Sequence, residues 1–124
     1  MSIQKILVVD DDAYFLKEVL LPSIPNILKK YLNSEIESII FASDGKEGWE
    51  LYQKEHPDFV FTDFDMPYLN GKELLAKIYT HSIRPKGSIL ISNSDEIKLE
   101  TPTVFLDKNE VFAIYFSSLR EKIG

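Results

Sequence analysis

Three short runs of consecutive apolar residues, Ile6-Leu7-Val8-Val9, Phe59-Val60-Phe61 and Ile89-Leu90-Ile91, each stop abruptly at polar residues. A run with no polar alternation leaves no face for water, so a strand built from it must be covered on both sides. A parallel sheet between two layers of helices meets that requirement. The intervening segments supply such helices. Tyr14 to Leu32 carries helical spacing at Phe15, Val19, Ile24, Ile27, Leu28 and Tyr31, interrupted by Pro22 and Pro25. A proline inside a helix removes a hydrogen bond and clashes with the preceding turn, at a cost of about 3 kcal/mol. The first helix is therefore expected to be kinked or broken, with Ser23 available to cap a second piece. Ile36 to Ala42 reads as a second strand, and Asp44-Gly45 as a turn into a helix over Glu47 to His56, where Trp49 and Tyr52 are packing residues. Lys72 to Tyr79 is helical, with Leu74, Leu75 and Ile78 on its apolar side; Thr103 to Leu106 is a fifth strand, and Val111 to Ile123 a closing helix. Strands alternating with helices imply right-handed crossovers and one doubly wound, five-stranded parallel sheet.

At 124 residues the chain fits one domain. Its formal charge of −6, with no Lys/Arg-rich run, argues against nucleic acid or an anionic membrane as a direct partner. The absence of cysteine excludes disulfides, thiol catalysis and zinc–thiolate sites, and is compatible with a cytoplasmic protein. The apolar run at the N-terminus is too short for a signal peptide and meets three aspartates at once. No stretch approaches the roughly 20 apolar residues of a membrane span. His56 and His81 fall in no metal-ligand or catalytic pattern.

In sheets of this class, ligands bind beyond the carboxyl ends of the strands, where the strand order reverses. The polar residues gather at those ends. Asp10 and Asp11 follow strand one, Asp63 ends strand three, Ser92 ends strand four and Lys108 follows strand five. Clustered carboxylates repel one another and favour a hard cation; Mg²⁺, which keeps waters and prefers phosphate oxygens, suits so small a ligand set. A carboxylate beside such an ion can attack phosphorus, while the ion and an ammonium neutralise the phosphoryl oxygens. The Ser92 hydroxyl is placed to donate to the phosphoryl group.

With KILVVDDD at 5–12, ASDGKEGW at 42–49, PDFVFTDFDMPYLNG at 57–71, ILIS at 89–92 and FLDK at 105–108, the chain resembles a response-regulator receiver domain of two-component signalling. The likeness is to the chemotaxis-type single-domain receiver and runs over essentially the whole length, so residues 1–124 are read as one receiver domain. The resemblance implies a flavodoxin-like sheet of order 2-1-3-4-5. It implies Asp63 as the phosphorylated residue. Asp10 and Asp11 would hold Mg²⁺ (or Mn²⁺) together with Asp63 and the backbone carbonyl of Asp65. Ser92, Lys108 and Phe105 would be the phosphoryl-binding and switch residues, and Asp65, Asn93 and Ser94 modulators of the lifetime of the phosphorylated state. Asp12 is given no role. A histidine kinase or histidine phosphotransfer protein would be the donor and a downstream protein the target, with no catalytic turnover beyond slow autodephosphorylation.

The chain departs from that pattern at Asn93, where such families usually have Ala or Gly, at Asn109, where a proline usually follows the lysine, and in length in two places. It is long between the acidic pair and Asp44-Gly45, and only thirteen positions separate Ser92 from Phe105, so the helix between strands four and five is expected to be shortened or absent. Phe105 reads equally as a switch aromatic or as a fixed core residue packed inward. The closing helix is apolar around its circumference, at Val111, Phe112, Ile114, Tyr115, Phe116, Leu119 and Ile123. One stripe must be core; the remainder suits a homodimer or partner face, or a rearranged core. Two other functions compete with the phosphoacceptor. One is a receiver-like binding module independent of phosphorylation. The other is a phosphatase using Asp63-Phe64-Asp65 as nucleophile and general acid.

Overall fold

A computed structural model describes residues 3–93 and 102–123 of the chain. The elements in chain order are β1 (Ile3–Val9), a first helix that opens in π geometry (Phe15–Leu20) and continues as α1 (Leu21–Leu32), β2 (Ile36–Ala42), α2 (Gly45–Glu55), β3 (Phe59–Asp63), α3 (Gly71–Thr80), β4 (Gly87–Ser92), β5 (Thr103–Asp107) and α4 (Lys108–Ile123). All strand pairs are parallel and the order is β2-β1-β3-β4-β5, as the flavodoxin-like reading requires.

The unbroken apolar runs form the middle of this sheet because each strand has two faces to cover. Every residue of β3 and β4 is buried. Alternate residues serve the two faces. Ile6, Val8, Phe59, Phe61, Ile89 and Ile91 pack with Ile24, Ile27 and Leu28 of α1 and Val111 of α4. Leu7, Val9, Val60 and Leu90 pack on the opposite face with Tyr52 of α2 and Leu74, Leu75 and Ile78 of α3. Tyr52 is fully buried, and its hydroxyl donates to the carbonyl of Ile83 at 2.6 Å, so its polar tip is satisfied and the packing role expected of it is met.

The interruption expected in the first helix takes the form of a change of helical register. Leu21 N–H donates to the carbonyl of Leu16, five residues back, and the chain then passes into α1 with Pro22 in its first turn and Pro25 in its interior. Ser23 does not cap a second piece. It is buried, and its hydroxyl donates to the carbonyl of Val19 at 2.6 Å, the four-back bond that serine makes inside helices.

Two helices begin earlier than their apolar pattern does, because polar residues build their first turns. Asp44 caps α2 by accepting from Glu47 N–H at 2.7 Å. Asn70 and Glu73 close a reciprocal capping box on α3, satisfying two N–H groups that the helix leaves unpaired. A fourth α-helix, α4, starts directly at Lys108 as β5 ends. The shortened or absent helix expected between strands four and five falls on residues 94–101, outside the described residues.

Candidate functional site

The sheet order places β1 beside both β2 and β3, so the crossovers diverge between β1 and β3 and leave a crevice at their carboxyl ends. Val9 is in register with Thr62, which brings the next residues, Asp10 and Asp63, side by side. Asp10 is fully buried and Asp63 is 3% exposed, whereas Asp11 is exposed. One carboxylate oxygen from each of the three lies within 4.8 Å of the others.

The two buried carboxylates are oriented by the backbone around them. Asp10 Oδ1 accepts from Asp12 N–H at 2.9 Å, while Asp10 Oδ2 is buried with no hydrogen-bond partner among the described residues. Asp63 Oδ1 accepts from Phe64 N–H at 3.0 Å, and Asp63 Oδ2 lies 3.7 Å from Lys108 Nζ. Burial pushes the Asp10 carboxyl up to about 6, against the bond from Asp12 and the charge of Lys108. Asp63 is pushed up to about 7, first by burial and then by the charge of Asp10, with Lys108 opposing. A buried acceptor without a donor is costly, and two buried carboxylates with raised pKa values report a deficit of positive charge. A hard cation would satisfy both, so these residues fit a divalent ion held by oxygen.

Lys108 arrives from the far side of the sheet because β5 pairs with β4 and α4 begins at its end. Ser92, 7% exposed, is the last residue of β4, one step beyond Ile91, which is in register with Asp63. Gly71 locks the loop after the acidic strand. Its N–H donates to Phe64 O at 2.8 Å, and a Cβ there would collide with the carbonyl oxygen of Asp63 and the side chain of Leu90. Gly71→Ala is therefore expected to displace Asp63 and destabilise the protein by about 1–3 kcal/mol, the usual range for overpacking. Urea unfolding of the two proteins checks this, and an unchanged midpoint would contradict it.

Of the residues singled out from sequence, Asp10, Asp11, Asp63 and Lys108 are brought together, and Ser92 stands at the adjoining strand end. Asp65 and Asn93 are exposed, and Ser94 lies outside the described residues. Phe105 is 44% exposed, which corrects the alternative of a core aromatic: β5 is an edge strand, and its inward position is taken by Leu106. Two residues were missed. Asp12 accepts from Phe15 N–H at 3.1 Å and its carbonyl accepts from Leu16 N–H at 2.9 Å, so it caps the first helix. That cap fixes Phe15, whose ring centroid lies 5.2 Å from Lys108 Nζ. The spacing of an aspartate three residues before an aromatic is a helix-start signal that could have found the pair.

Comparison with known proteins gives a consistent result. The family described as response regulator receiver domain matches residues 6–103. A protein-glutamate methylesterase/protein-glutamine glutaminase of Methanococcus maripaludis is 39% identical over 85 residues, 68% of this chain and 21% of that protein. A probable transcriptional regulator ycf27 of Porphyridium aerugineum is 38% identical over 71 residues, 57% of this chain and 26% of that protein. The chain thus spans about a fifth to a quarter of these curated relatives. Among solved structures, the response regulator domain of Thermotoga maritima CheB superposes with a TM-score of 0.63 at 23% identity, covering 96% of this chain and 92% of that one. The signal receiver domain of the putative response regulator NarL from Mycobacterium tuberculosis gives 0.63 at 22%, covering 97% and 96%. These two similarities concern the fold.

Proposed function

Because the chain belongs to the response regulator receiver domain family, we propose that it is a phosphoacceptor of a two-component phosphorelay and that Asp63 is the residue that carries the phosphoryl group. The observation that supports this best is the setting of Asp63: one oxygen held by Phe64 N–H, the other beside the Lys108 ammonium, and two further carboxylates alongside. Asp10, Asp11, Asp63 and the backbone carbonyl of Asp65 would hold Mg²⁺ or Mn²⁺, and the unpartnered Asp10 Oδ2 is the acceptor that most needs it. When bound, the ion supplies positive charge to the phosphoryl oxygens.

An ionised Asp63 oxygen attacks phosphorus, forming the acyl phosphate as the bond to a donor imidazole breaks and the imidazole takes a proton from water. Lys108 then pairs with a phosphoryl oxygen and the Ser92 hydroxyl donates to another. The added charge of roughly −1.5 to −2 shifts the balance between two arrangements of β4, β5 and α4, in which Phe105 changes rotamer. The donor is a histidine kinase or a histidine phosphotransfer protein, and the output is an altered protein contact. Exposed Phe105, Phe112 and Phe116 form the face for a target or a second copy. No helix among the described residues is long and apolar enough to cross a membrane. On this reading residues 1–124 are one receiver domain, acting in the cytoplasm. Exposed Asp65 and Asn93, with Ser94, set the lifetime of the acyl phosphate, so Asp65→Ala changes its decay rate; an unaltered decay would remove Asp65 from that role.

The test is intact mass after incubation with acetyl phosphate, with and without Mg²⁺. A single Mg²⁺-dependent phosphoryl adduct, absent in Asp63→Asn, is expected. Cation binding without any adduct, from acetyl phosphate or from phosphorylated histidine donors, would replace this reading with a phosphorylation-independent binding module. Multiple turnover of a phosphate ester that Asp65→Asn abolishes would replace it with a phosphatase.

A further inference from the structure

Among the described residues the Lys108 ammonium stands between the acids, Asp63 beside it and Asp10 within reach of its charge, and an aromatic ring. The lysine Nζ stands 3.7 Å from Asp63 Oδ2, longer than a hydrogen-bonded ion pair, and 5.2 Å from the centroid of the Phe15 ring. A lysine stem has four rotatable carbons, and one loose ion pair does not fix where its ammonium sits. The aromatic face supplies a second attraction from another direction. Phe15 is itself held. It is 4% exposed, its N–H is bound by the Asp12 carboxylate, and it opens the π-helical stretch that sets its direction. Its ring also packs edge-on against Phe112 of α4, with centroids 5.4 Å apart at 63°. The segment departs from α-helical register where it supplies this ring, and such departures recur at functional sites.

We propose that Phe15 is a positioning residue: its ring face holds the Lys108 ammonium beside Asp63, so that the charge is in place before the phosphoryl group arrives. The proposal rests on the phosphoacceptor reading for its kinetic consequence, but not for its geometry. Phe112 extends the contact to α4, where it stacks on Phe116 with centroids 6.2 Å apart. The Lys108 ammonium is therefore connected through two rings to an exposed aromatic surface.

The experiment compares Phe15→Leu, Phe15→Met and Phe15→Tyr by two readouts. The first is the proton resonance of the Lys108 ε-methylene, which the ring face shifts upfield. That shift is expected to persist in F15Y and to vanish in F15L and F15M, with the remaining spectrum preserved. The second is the initial rate of Mg²⁺-dependent phosphoryl uptake from acetyl phosphate. F15L and F15M are expected to slow it by about three- to tenfold, the scale of a partly desolvated cation–π contact, with F15Y within twofold of wild type. Uptake that is unchanged in F15L, or slowed alike in all three variants, overturns the proposal, because the ring would then matter only as filling. A Lys108 resonance indifferent to the loss of the ring overturns it as well. If the wild type takes up no phosphoryl group from acetyl phosphate or from phosphorylated histidine donors, the acceptor reading fails, and the resonance alone decides whether Phe15 holds Lys108.

Discussion

Asp10→Asn is expected to raise the melting temperature of the cation-free protein at pH 8 by about 6–15 °C, and at the same time to remove the stabilisation that Mg²⁺ gives the wild type. The Asp10 carboxyl has an ordinary value of 3.8 and is raised to about 6 in the fold, by burial above all. The folded chain therefore binds this proton more tightly than the unfolded chain does. Stability falls as pH rises from about 4 through 6, and above that range the full cost of the buried charge is present. At about 1.4 kcal/mol per unit, that cost is roughly 2–3 kcal/mol. A change of 1 kcal/mol moves the melting temperature of a domain this size by about 3–5 °C. Asparagine keeps the shape and the oxygen that accepts from Asp12 N–H. It carries no charge and turns an NH₂ toward the acidic neighbours where Asp10 Oδ2 has no partner. Asp63 is also relieved, since the charge of Asp10 is the second cause of its raised value. The wild type should gain about 2.7 kcal/mol when Mg²⁺ is present at a hundredfold excess over its dissociation constant, and the variant little. Thermal melts in EDTA and in Mg²⁺ measure both. A variant that melts lower than wild type in EDTA would show that Asp10 is not held at a cost to the fold.

The same chemistry explains what could be read from the chain beforehand. β1, β3 and β4 were legible because burial on both faces leaves no choice but unbroken apolar residues. Once their order was known, Asp10 and Asp63 had to meet, because Val9 and Thr62 are paired one residue earlier. The edge of the sheet was less legible. β5 is the edge strand, and Phe105 and Leu106 look equivalent in sequence while only Leu106 is buried. The opening of the first helix was not legible at all in register. Its prolines announced a disturbance, but a bond reaching five residues back leaves no mark in the spacing of apolar residues. Phe15 reads from sequence only as an apolar position of a helix; it is buried, and its position under Lys108 comes only with the π-helical stretch. Asp12 reads in sequence as an extension of the acidic run with no role of its own. Its role is in the backbone, where a short carboxylate meets free N–H groups.

The apparent dissociation constant for Mg²⁺ should weaken by at least a hundredfold between pH 8 and pH 5. An ion bound by Asp10 and Asp63 must displace whatever protons they hold. With Asp63 at about 7 and Asp10 at about 6, the affinity should be level above pH 8 and fall by one decade per pH unit through 7 to 6. The slope should approach two decades below that. The two groups interact, so the inflections belong to the pair rather than to either residue. Carboxylates near their unperturbed values of about 4 would lose less than twofold over the same range, which makes the contrast decisive. The two proposed ligands do not themselves promote acid unfolding over this range. Asp10 and Asp63 favour the folded state increasingly as pH falls through their raised values. Asp58 behaves oppositely: burial opposes its ionisation, but hydrogen bonds from Gln4 and Lys5 N–H and the charge of Lys86 outweigh it and hold its carboxyl below 3.8. Its contribution to stability is complete above 3.8 and is lost only as pH drops below that, well under the range titrated. Calorimetric titration with Mg²⁺ at pH 8, 7, 6 and 5 follows the curve directly. A dissociation constant that stays within twofold from pH 8 to pH 6 would mean that the two buried carboxylates are not the ligands, and the ion would have to be sought at Asp11 and the exposed loop alone.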